Sequence, residues 1–355
     1  MMRFEPLGLE EWFHKWRGVG TNLDVSGAPV PFEEFHPEFE EESDLVELEE
    51  ELVELLAQIY SVGTERIALT CGTQNANSLV LITQLNDEDI IAAEHPIYEP
   101  LQKVAEQVCR LRDLPRTLED QYRPDMNRLT EILDSGSRMV MLTNIHNPSG
   151  AALRDDEMRA ILETAEEREA LVLCDEIYRE MCYSEPPKGA FEVGDNAIVT
   201  NGVTKLYGLG DLRVGWVIGP EDVARDVELC RLAILSHLPA YSLAVTIQAL
   251  KRRQWFRNRM LSRARENLKI LNEWARAETR VSFMMPEGGL MFLLPLPKGI
   301  DDMEFSEFLL ENHDTAVCPG RYFGVRGQIR ITFSCPPEEF TRGLRNVSAA
   351  LDHFS

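Results

Sequence analysis

Residues 139–150 read MVMLTNIHNPSG, and residues 171–178 read LVLCDEIY. Each stretch opens with four apolar residues and then continues into polar and turn-forming ones. Runs that are apolar on both faces are typical of strands covered by helices on each side, and so of a mostly parallel sheet. Because ligands bind beyond the carboxyl ends of the strands in such sheets, the polar residues after each run are candidates for a functional site.

The same alternation of short apolar runs and longer helical segments extends along much of the chain. The other runs lie at 67–70, 90–92, 198–200 and 214–218. This pattern predicts an α/β domain with a mostly parallel sheet between helices. After it, a helical segment from about 239 to 277 precedes strand candidates at 283–286, 291–294 and 329–333, which predicts a smaller α+β part.

An acidic stretch from Glu38 to Glu51 leads into the first long helical pattern. Apolar residues recur there at steps of three and four, which predicts a helix that turns them to one face and its Glu side chains to solvent. The residues of this stripe are Leu45, Leu48, Leu52, Leu55 and Ile59.

The composition narrows the class of protein and of partner. The chain has 355 residues, which favours two domains, and a net charge of -24 from 60 acidic and 36 basic residues. This charge disfavours nucleic acid and anionic membranes as partners. The seven cysteines show no C-x-x-C pair and no metal-like spacing with His, and neither a leader-like N-terminus nor an apolar run of about 18 residues occurs. We therefore expect a cytoplasmic protein with reduced thiols and no metal site.

Three strings that follow the first apolar runs are suited to binding a phosphate-bearing, ring-bearing ligand. Gly72 and Thr73 open a helix after the run at 67–70, which suits an anion site, although Thr73 as an ordinary N-cap explains the string equally well. Tyr98 follows the second run and could stack on a planar ring, although a lone Tyr is more often part of the core. Asn147 follows the third run and could donate to an oxygen, or could simply belong to a turn. The neighbouring His146 is interpreted as structural.

Later strings add groups with more specific chemistry. Asp175 could keep a pyridinium nitrogen protonated, and Tyr178 could donate to a phenolic oxygen of the same ring, unless both belong to a solvated loop. Lys205 lies in a Gly-rich, otherwise apolar segment, where desolvation favours a nucleophilic amine, and Arg213 could hold a phosphate. Arg330 lies inside a β-alternating run, where it could meet a substrate carboxylate or form a structural salt bridge with a Glu.

Taken together, these strings resemble the class I/II aminotransferases of fold type I, which are pyridoxal-phosphate-dependent and similar to aspartate aminotransferase. The resemblance covers roughly residues 20–350 in family order. It rests on NPSG at 147–150, DEIY at 175–178, the segment from 205 to 213, PEGG at 286–289, and PG at 319–320 with FG at 323–324. It implies a large cofactor-binding domain over residues 34–262, and a small domain formed by residues 1–33 and 263–355.

The resemblance also implies a role for each matching residue. Lys205 holds pyridoxal 5'-phosphate as a Schiff base and works with Asp175 and Tyr178 in catalysis, while Gly27, Asn147 and Arg330 bind the substrate. The remaining cofactor-binding residues are Gly72, Thr73, Gln74, Tyr98, Asn147 and Arg213.

The implied reaction is ping-pong transfer of an amino group between an L-amino acid and a 2-oxo acid, in a homodimer with sites at its interface. A lyase, a decarboxylase or a cyclising synthase of the same fold is the alternative, because the same residues serve all of these. A ligand-sensing module of a transcription regulator is disfavoured by the charge and by the few residues that precede the fold. A nicotinamide dehydrogenase is disfavoured because no G-x-G-x-x-G follows an early strand.

Three departures from the family pattern accompany these expectations. Gly202 stands where many relatives have a Ser that contacts the phosphate, and Asp211 adds a negative charge between Lys205 and Arg213. The stretch before Leu45, where relatives often have a Tyr that reaches the neighbouring subunit's phosphate, is acidic and contains no clear match.

Overall fold

The computed structural model of the chain describes residues 5–29, 34–39 and 44–354, so the first four residues, with their expected lack of a leader, lie outside the described residues. The strands are β1 Thr21–Asn22, β2 Ile67–Thr70, β3 Ile90–His95, β4 Arg110–Pro115, β5 Met139–Thr143, β6 Leu171–Asp175, β7 Ala197–Gly202, β8 Gly215–Ile218, β9 Met291–Pro295, β10 Thr315–Ala316, β11 Cys318–Pro319 and β12 Gln328–Thr332. The helices are α1 Gly8–Lys15, α2 Leu45–Tyr60, α3 Thr73–Gln84, α4 Glu99–Val108, α5 Met126–Asp134, α6 Asp155–Glu166, α7 Ala190–Val193, α8 Glu221–Ile234, α9 Ala240–Lys251, α10 Arg253–Ala277, α11 Asp302–His313 and α12 Pro337–Phe354.

The central sheet has seven strands in the order β2-β8-β7-β6-β5-β3-β4. Strand β8 runs antiparallel to both of its neighbours, and the other pairs are parallel. Alternate side chains of one strand enter the two cores on opposite faces: Met139 and Met141 of β5 pack with α3, α4 and α8, while Val140 and Leu142 pack with α2, α5, α6 and α9. The predicted α/β architecture is therefore confirmed, and both faces of the sheet are covered because its strands are apolar on both faces.

The C-terminal part contains a three-stranded antiparallel sheet in the order β11-β12-β9, flanked by α10, α11 and α12. The N-terminal arm joins it, because β1 pairs in parallel with β10 and the Trp12 Nε1 donates to the carbonyl of Val317 at 2.9 Å. The expected association of the arm with an α+β part is thus present. The proposed boundary between residues 262 and 263 falls inside α10, and the division into domains stays a proposal.

Several elements differ from the sequence expectations. The segment 283–286 is not a strand, and the backbone N–H groups of Glu287 and Gly288, which follow it, donate to the carbonyl of Gly150. The predicted helical segment 239–277 is two helices, interrupted at Arg252. Strand β4 was missed because it is a charged edge strand with little apolar character.

The apolar stripe predicted for the first long helix is only partly correct. Leu52 is fully buried in α2, whereas Leu45, Leu48, Leu55 and Ile59 are only partly buried. The rest of the buried face is formed by Leu56 and Tyr60, at steps of four from Leu52. Residues 40–43, which include Glu40, Glu41 and Glu42, lie outside the described part of the chain.

Three further features concern membrane spans, metal ligands and cysteines. In the described part of the chain, no helix has the length and the apolar character that crossing a bilayer requires. The same part holds no group of three or more His, Cys, Asp or Glu side chains arranged to bind a metal ion. All seven cysteines are free thiols.

Candidate active site

The strands β5, β6 and β7 end at a cavity of about 350 Å³. All the site residues predicted from the sequence line this cavity, except Gly27 and Gly72. The predicted residues in its wall are Thr73, Gln74, Tyr98, Asn147, Asp175, Tyr178, Lys205, Arg213 and Arg330. Residues more than 250 positions apart therefore meet in one place, at the carboxyl ends of the parallel strands.

The N-terminus of α3 and the Arg213 side chain form a potential anion site. Gly72 precedes the helix with a φ of 85°, and a Cβ on it would lie 2.5 Å from Arg213 Nη2, so only glycine lets the guanidinium approach this closely. Arg213 donates to the carbonyls of Gly210 at 3.2 Å and Cys71 at 3.4 Å. The Thr73 hydroxyl is buried and has no hydrogen-bond partner among the described residues. A free hydroxyl, free helix N–H groups and an Arg fork fit a phosphate.

Steric hindrance explains why position 202 is a glycine. A Cβ on Gly202 would lie 2.7 Å from the Thr73 hydroxyl oxygen and 2.8 Å from the carbonyl of Val214. A serine at this position would therefore collide with Thr73, whose own hydroxyl occupies that space. Asp211 is exposed and makes no ion pair with Arg213 in the described part of the chain.

The Lys205 amine lies in a small hydrogen-bonded group that includes Ser26, a residue without a predicted role. Lys205 Nζ donates to Ser26 Oγ at 3.1 Å, and the Tyr178 hydroxyl donates to the same oxygen at 2.9 Å. The Lys205 amine also lies 5.7 Å from the centre of the Tyr178 ring. The N-terminal arm is held against this segment because Ala28 N donates to the Lys205 carbonyl at 2.8 Å, and a Cβ on Gly27 would lie 3.6 Å from Lys205 Cδ.

Asp175 is buried at the end of β6 and is fixed by two donors. Asn77 Nδ2 donates to one carboxylate oxygen at 2.7 Å, and the backbone N–H of Ile177 donates to the other at 3.0 Å. Thr200 in turn donates to Asn77 Oδ1 at 2.6 Å, which fixes the amide orientation. Burial raises the pKa of Asp175 to about 6, while these donors and the charge of Lys205 oppose the rise. A cationic ring nitrogen placed against this carboxylate would favour its ionised form.

Asn77 and Thr200 were not assigned a role from the sequence. The signal that could have identified them is a polar residue at an otherwise apolar position, since both side chains are buried among the aliphatic residues of α3 and β7.

Arg330 is buried in β12 and is paired with an aspartate. Its Nη2 donates to Asp24 Oδ1 at 2.6 Å and to the Asp24 carbonyl at 2.9 Å, and its Nη1 donates to Asn147 Oδ1 at 3.3 Å. The guanidinium stacks 4.9 Å from the centre of the Phe323 ring. The Arg330 Nε remains without a partner among the described residues. A salt bridge to a Glu was one of the two alternatives for Arg330; the ion pair is made instead with Asp24, and the Nε donor is left without a partner among the described residues.

The other predicted residues complete the wall. Burial raises the pKa of Tyr98 above its ordinary value, which keeps its hydroxyl protonated. His146 uses both ring nitrogens, toward Ser149 Oγ at 2.6 Å and the Pro96 carbonyl at 3.0 Å, and burial lowers its pKa, as suits the structural role expected for it. The roles assigned to the site residues remain predictions at this point, because the geometry gives their positions and not their chemistry.

Comparison with known proteins gives the family context of this cavity. A family model described as aminotransferase class I and II matches residues 42–347. The chain is 28% identical to capreomycidine synthase from Streptomyces vinaceus over 288 residues, which are 80% of the chain and 74% of that protein. It is 24% identical to aspartate aminotransferase from Pyrococcus horikoshii over 319 residues, or 86% of the chain and 81% of that protein.

The fold is shared with solved structures over the entire chain. The crystal structure of the PLP-dependent cyclase OrfR superposes with a TM-score of 0.88, at 24% identity, and covers 100% of this chain and 99% of that one. At this level of identity the likeness establishes the fold.

Proposed function

The chain belongs to the class I and II aminotransferase family of pyridoxal-phosphate-dependent enzymes, and we propose that it transfers an amino group between an L-amino acid and a 2-oxo acid by a ping-pong route. The observation that carries this proposal is the meeting of Lys205, Asp175 and Arg330 in one cavity. These residues offer an amine for the cofactor aldehyde, an acid for its ring nitrogen and a cation for the substrate carboxylate.

The residues present fit this cofactor. Lys205 would hold it covalently, and the unpartnered Thr73 hydroxyl, Gln74 and Arg213 would hold its phosphate, in a cradle that a side chain at Gly72 would fill. Asp175 would pair with the ring nitrogen. The phenolic oxygen would be met by Asn147 and Tyr178, and the ring would stack on Tyr98. Bound pyridoxal phosphate supplies an electron sink for the electron pair left when the substrate Cα–H bond breaks.

The chain's own groups would then bind the amino acid and move its proton. Arg330 and Asn147, with the backbone of Gly27, would orient the α-carboxylate. The Lys205 amine would act as the general base that takes the Cα proton, and as the acid that later gives a proton back. Ser26 accepts hydrogen bonds from both Lys205 and Tyr178, and so holds the amine on the cavity side of the segment.

The experiment that tests transamination follows the cofactor's absorbance. When the holoenzyme is mixed with single amino acids without an acceptor, we expect its absorbance to change to that of pyridoxamine phosphate, with release of the matching 2-oxo acid. The Lys205→Ala variant should lose this conversion by about 10³-fold, because general acid–base catalysis contributes that order of rate. A variant that converts at the normal rate would end the assignment.

A cyclising reaction is the second candidate, because two proteins similar to this chain carry the names synthase and cyclase. It would use the same lysine and the same electron sink, with attack by a side-chain nucleophile instead of hydrolysis. In the same mixing experiment, a cyclic amino acid product without any 2-oxo acid would favour this reading. Release of ammonia or CO₂ would favour a lyase or a decarboxylase.

We also propose a cytoplasmic homodimer. The free thiols suit a reducing compartment. Large apolar side chains are exposed near the end of α8 and at the start of α9, where a second copy would cover them. They are Leu229, Leu232, Ile234, Leu235 and Tyr241. Light scattering behind size-exclusion chromatography should give twice the 40.4 kDa chain mass, and a monomer at micromolar concentration would contradict the proposal.

A further inference from the structure

The helix α1 forms part of the cavity wall, which no motif in the sequence predicted. Leu7, Glu10 and Phe13 line the cavity at the helical spacing of three. On the same helix, Leu9 and Trp12 are buried against Cys318 and Phe323 in the C-terminal part of the chain. The packing of Leu9 and Trp12 therefore directs Glu10 and Phe13 toward the site.

This helix is held in place by specific contacts. Glu99 at the start of α4 accepts hydrogen bonds from the backbone N–H groups of Gly8 at 3.1 Å and Leu9 at 2.7 Å, which caps the first turn of α1. Trp12 adds its hydrogen bond to the Val317 carbonyl. Glu10 consequently projects from a fixed element rather than from a loop.

Among residues 5–29, 34–39 and 44–354, the Glu10 carboxylate has neither a hydrogen bond nor an ion pair. Glu10 lines the same cavity as Arg330. Burial raises the pKa of Tyr98, and the Glu10 charge adds to this rise while Arg330 opposes it. An unpartnered acid at the mouth of a cavity attracts cations and repels anions.

The cations of the cavity wall are all engaged. Lys205 and Arg213 are taken by the cofactor in the proposed function, and Arg330 is taken by the α-carboxylate while Asp24 already compensates its charge. The described wall thus has no spare cation for a second carboxylate on the substrate. It has a spare anion in Glu10.

We propose that Glu10 selects amino acids whose side chain ends in a cation, a proposal that rests on the aminotransferase function above. The rest of the wall near α1 is apolar, and it suits the methylene chain that would connect such a cation to the Cα atom. These apolar residues are Leu7, Phe13, Pro100, Leu101 and Ile177. A guanidinium or ammonium at the end of a three- or four-carbon chain is the side-chain chemistry that this surface recognises.

The test compares two amino acids that differ only in charge. L-Arginine and L-citrulline have the same chain length and shape, but citrulline carries a neutral urea group. We expect the holoenzyme to favour arginine in kcat/KM of the half-reaction by about twofold to fivefold, the size expected for an exposed charge pair. Glu10→Gln should bring this ratio close to unity. Glu11→Gln changes the next residue, which is exposed and does not line the cavity, and should keep the ratio.

A binding measurement separates this proposal from the proposed reaction. Calorimetry on the holoenzyme would compare 5-guanidinopentanoate with 5-ureidopentanoate, which lack the α-amino group and cannot react. Tighter binding of the guanidino acid, lost in Glu10→Gln, supports the proposal even if no amino acid is transaminated. Equal affinities, or equal losses for both acids in Glu10→Gln, overturn it even if neutral or acidic amino acids are converted.

Discussion

Two parts of the cavity wall are built in different ways. On the cofactor side, Asp175 is the last residue of a strand of the central sheet, and Thr73 and Lys205 each follow three residues after the end of one. On the substrate side, Glu10 and Asp24 belong to the N-terminal arm, and Arg330 belongs to the C-terminal sheet. The first group is positioned by neighbouring strands, whereas the second depends on contacts between opposite ends of the chain.

The way in which each side is positioned determines how freely its residues can change. Side chains at the ends of adjacent parallel strands meet wherever that sheet forms, so the cofactor side is fixed together with the fold. The pair of Asp24 and Arg330 joins residues 306 positions apart, and α1 reaches the cavity only because Leu9 and Trp12 pack on the C-terminal part. The substrate side can therefore change between relatives without a change in the cofactor chemistry.

The largest effect should follow from a change on the cofactor side. In Asp175→Asn the ring nitrogen loses its anionic partner, and we expect the rate of the half-reaction to fall by about 100-fold, as for the loss of one preorganised electrostatic group. Single-turnover absorbance measurements on the loaded variant would show this. A loss of less than threefold would mean that the carboxylate does not act on the ring.

Asp175 should also make the stability of the apoprotein depend on pH. Because burial raises the pKa of Asp175 to about 6 from an ordinary 3.8, the folded protein holds this proton more tightly than the unfolded chain. The resulting stabilisation is fully present below pH 3.8 and is lost as the pH rises through 6. Relative to Asp175→Asn, the wild-type free energy of unfolding should fall by on the order of 3 kcal/mol over this range and then stay level. Urea titrations at pH 4, 5, 6 and 7 would measure the difference, and a constant one would contradict the account.

A change on the substrate side should act mainly on stability and carboxylate binding. Asp24→Asn leaves the Arg330 guanidinium buried without its counter-charge, which should cost about 3 kcal/mol in denaturant unfolding. A bound substrate carboxylate would supply the missing charge, so 2-oxo acids should raise the melting temperature of the variant more than that of the wild type. Asp211→Asn, at an exposed position that has no ion pair within the described part of the chain, is the matched control and should change neither quantity. Equal behaviour of the two variants would show that Asp24 does not govern Arg330.

The smallest effect concerns the phosphate. Thr73→Val keeps the shape of the side chain and removes only the buried, unpartnered hydroxyl, so the dissociation constant of pyridoxal phosphate should rise by about fivefold, the value of one hydrogen bond. Thr332→Val removes a second buried hydroxyl that has no partner among the described residues and does not line the cavity, and it should leave this constant unchanged. Identical cofactor affinities in both variants would place the phosphate elsewhere.

The sequence predicted the cofactor side well and the substrate side poorly, for physical reasons. Apolar runs identified β5 and β6, and the polar residues after them could be placed at one edge of the sheet. The clash that excludes a side chain at Gly202 depends on where Thr73 lies in the folded chain, so the sequence indicated only a missing hydroxyl contact. The partner of Arg330 could not be chosen in advance either, since many acids were available and only the fold brings Asp24 to it.

The helix α1 illustrates the same limit. Its residues carry no motif, and the family resemblance began only near residue 20. The role of Glu10 depends on which face of a short helix packs inward, and that is decided by contacts with residues about 300 positions away.

The most direct test of the central claim is to locate the covalent bond to the cofactor. The holoenzyme would be reduced with borohydride, digested and mapped by mass spectrometry. The chain has seven lysines, and Lys205 is the one that lines the cavity among the described residues. We predict that the reduced phosphopyridoxyl group is found on Lys205 alone. A protein that stays colourless and unlabelled with pyridoxal phosphate, or a label on another lysine, would contradict the account.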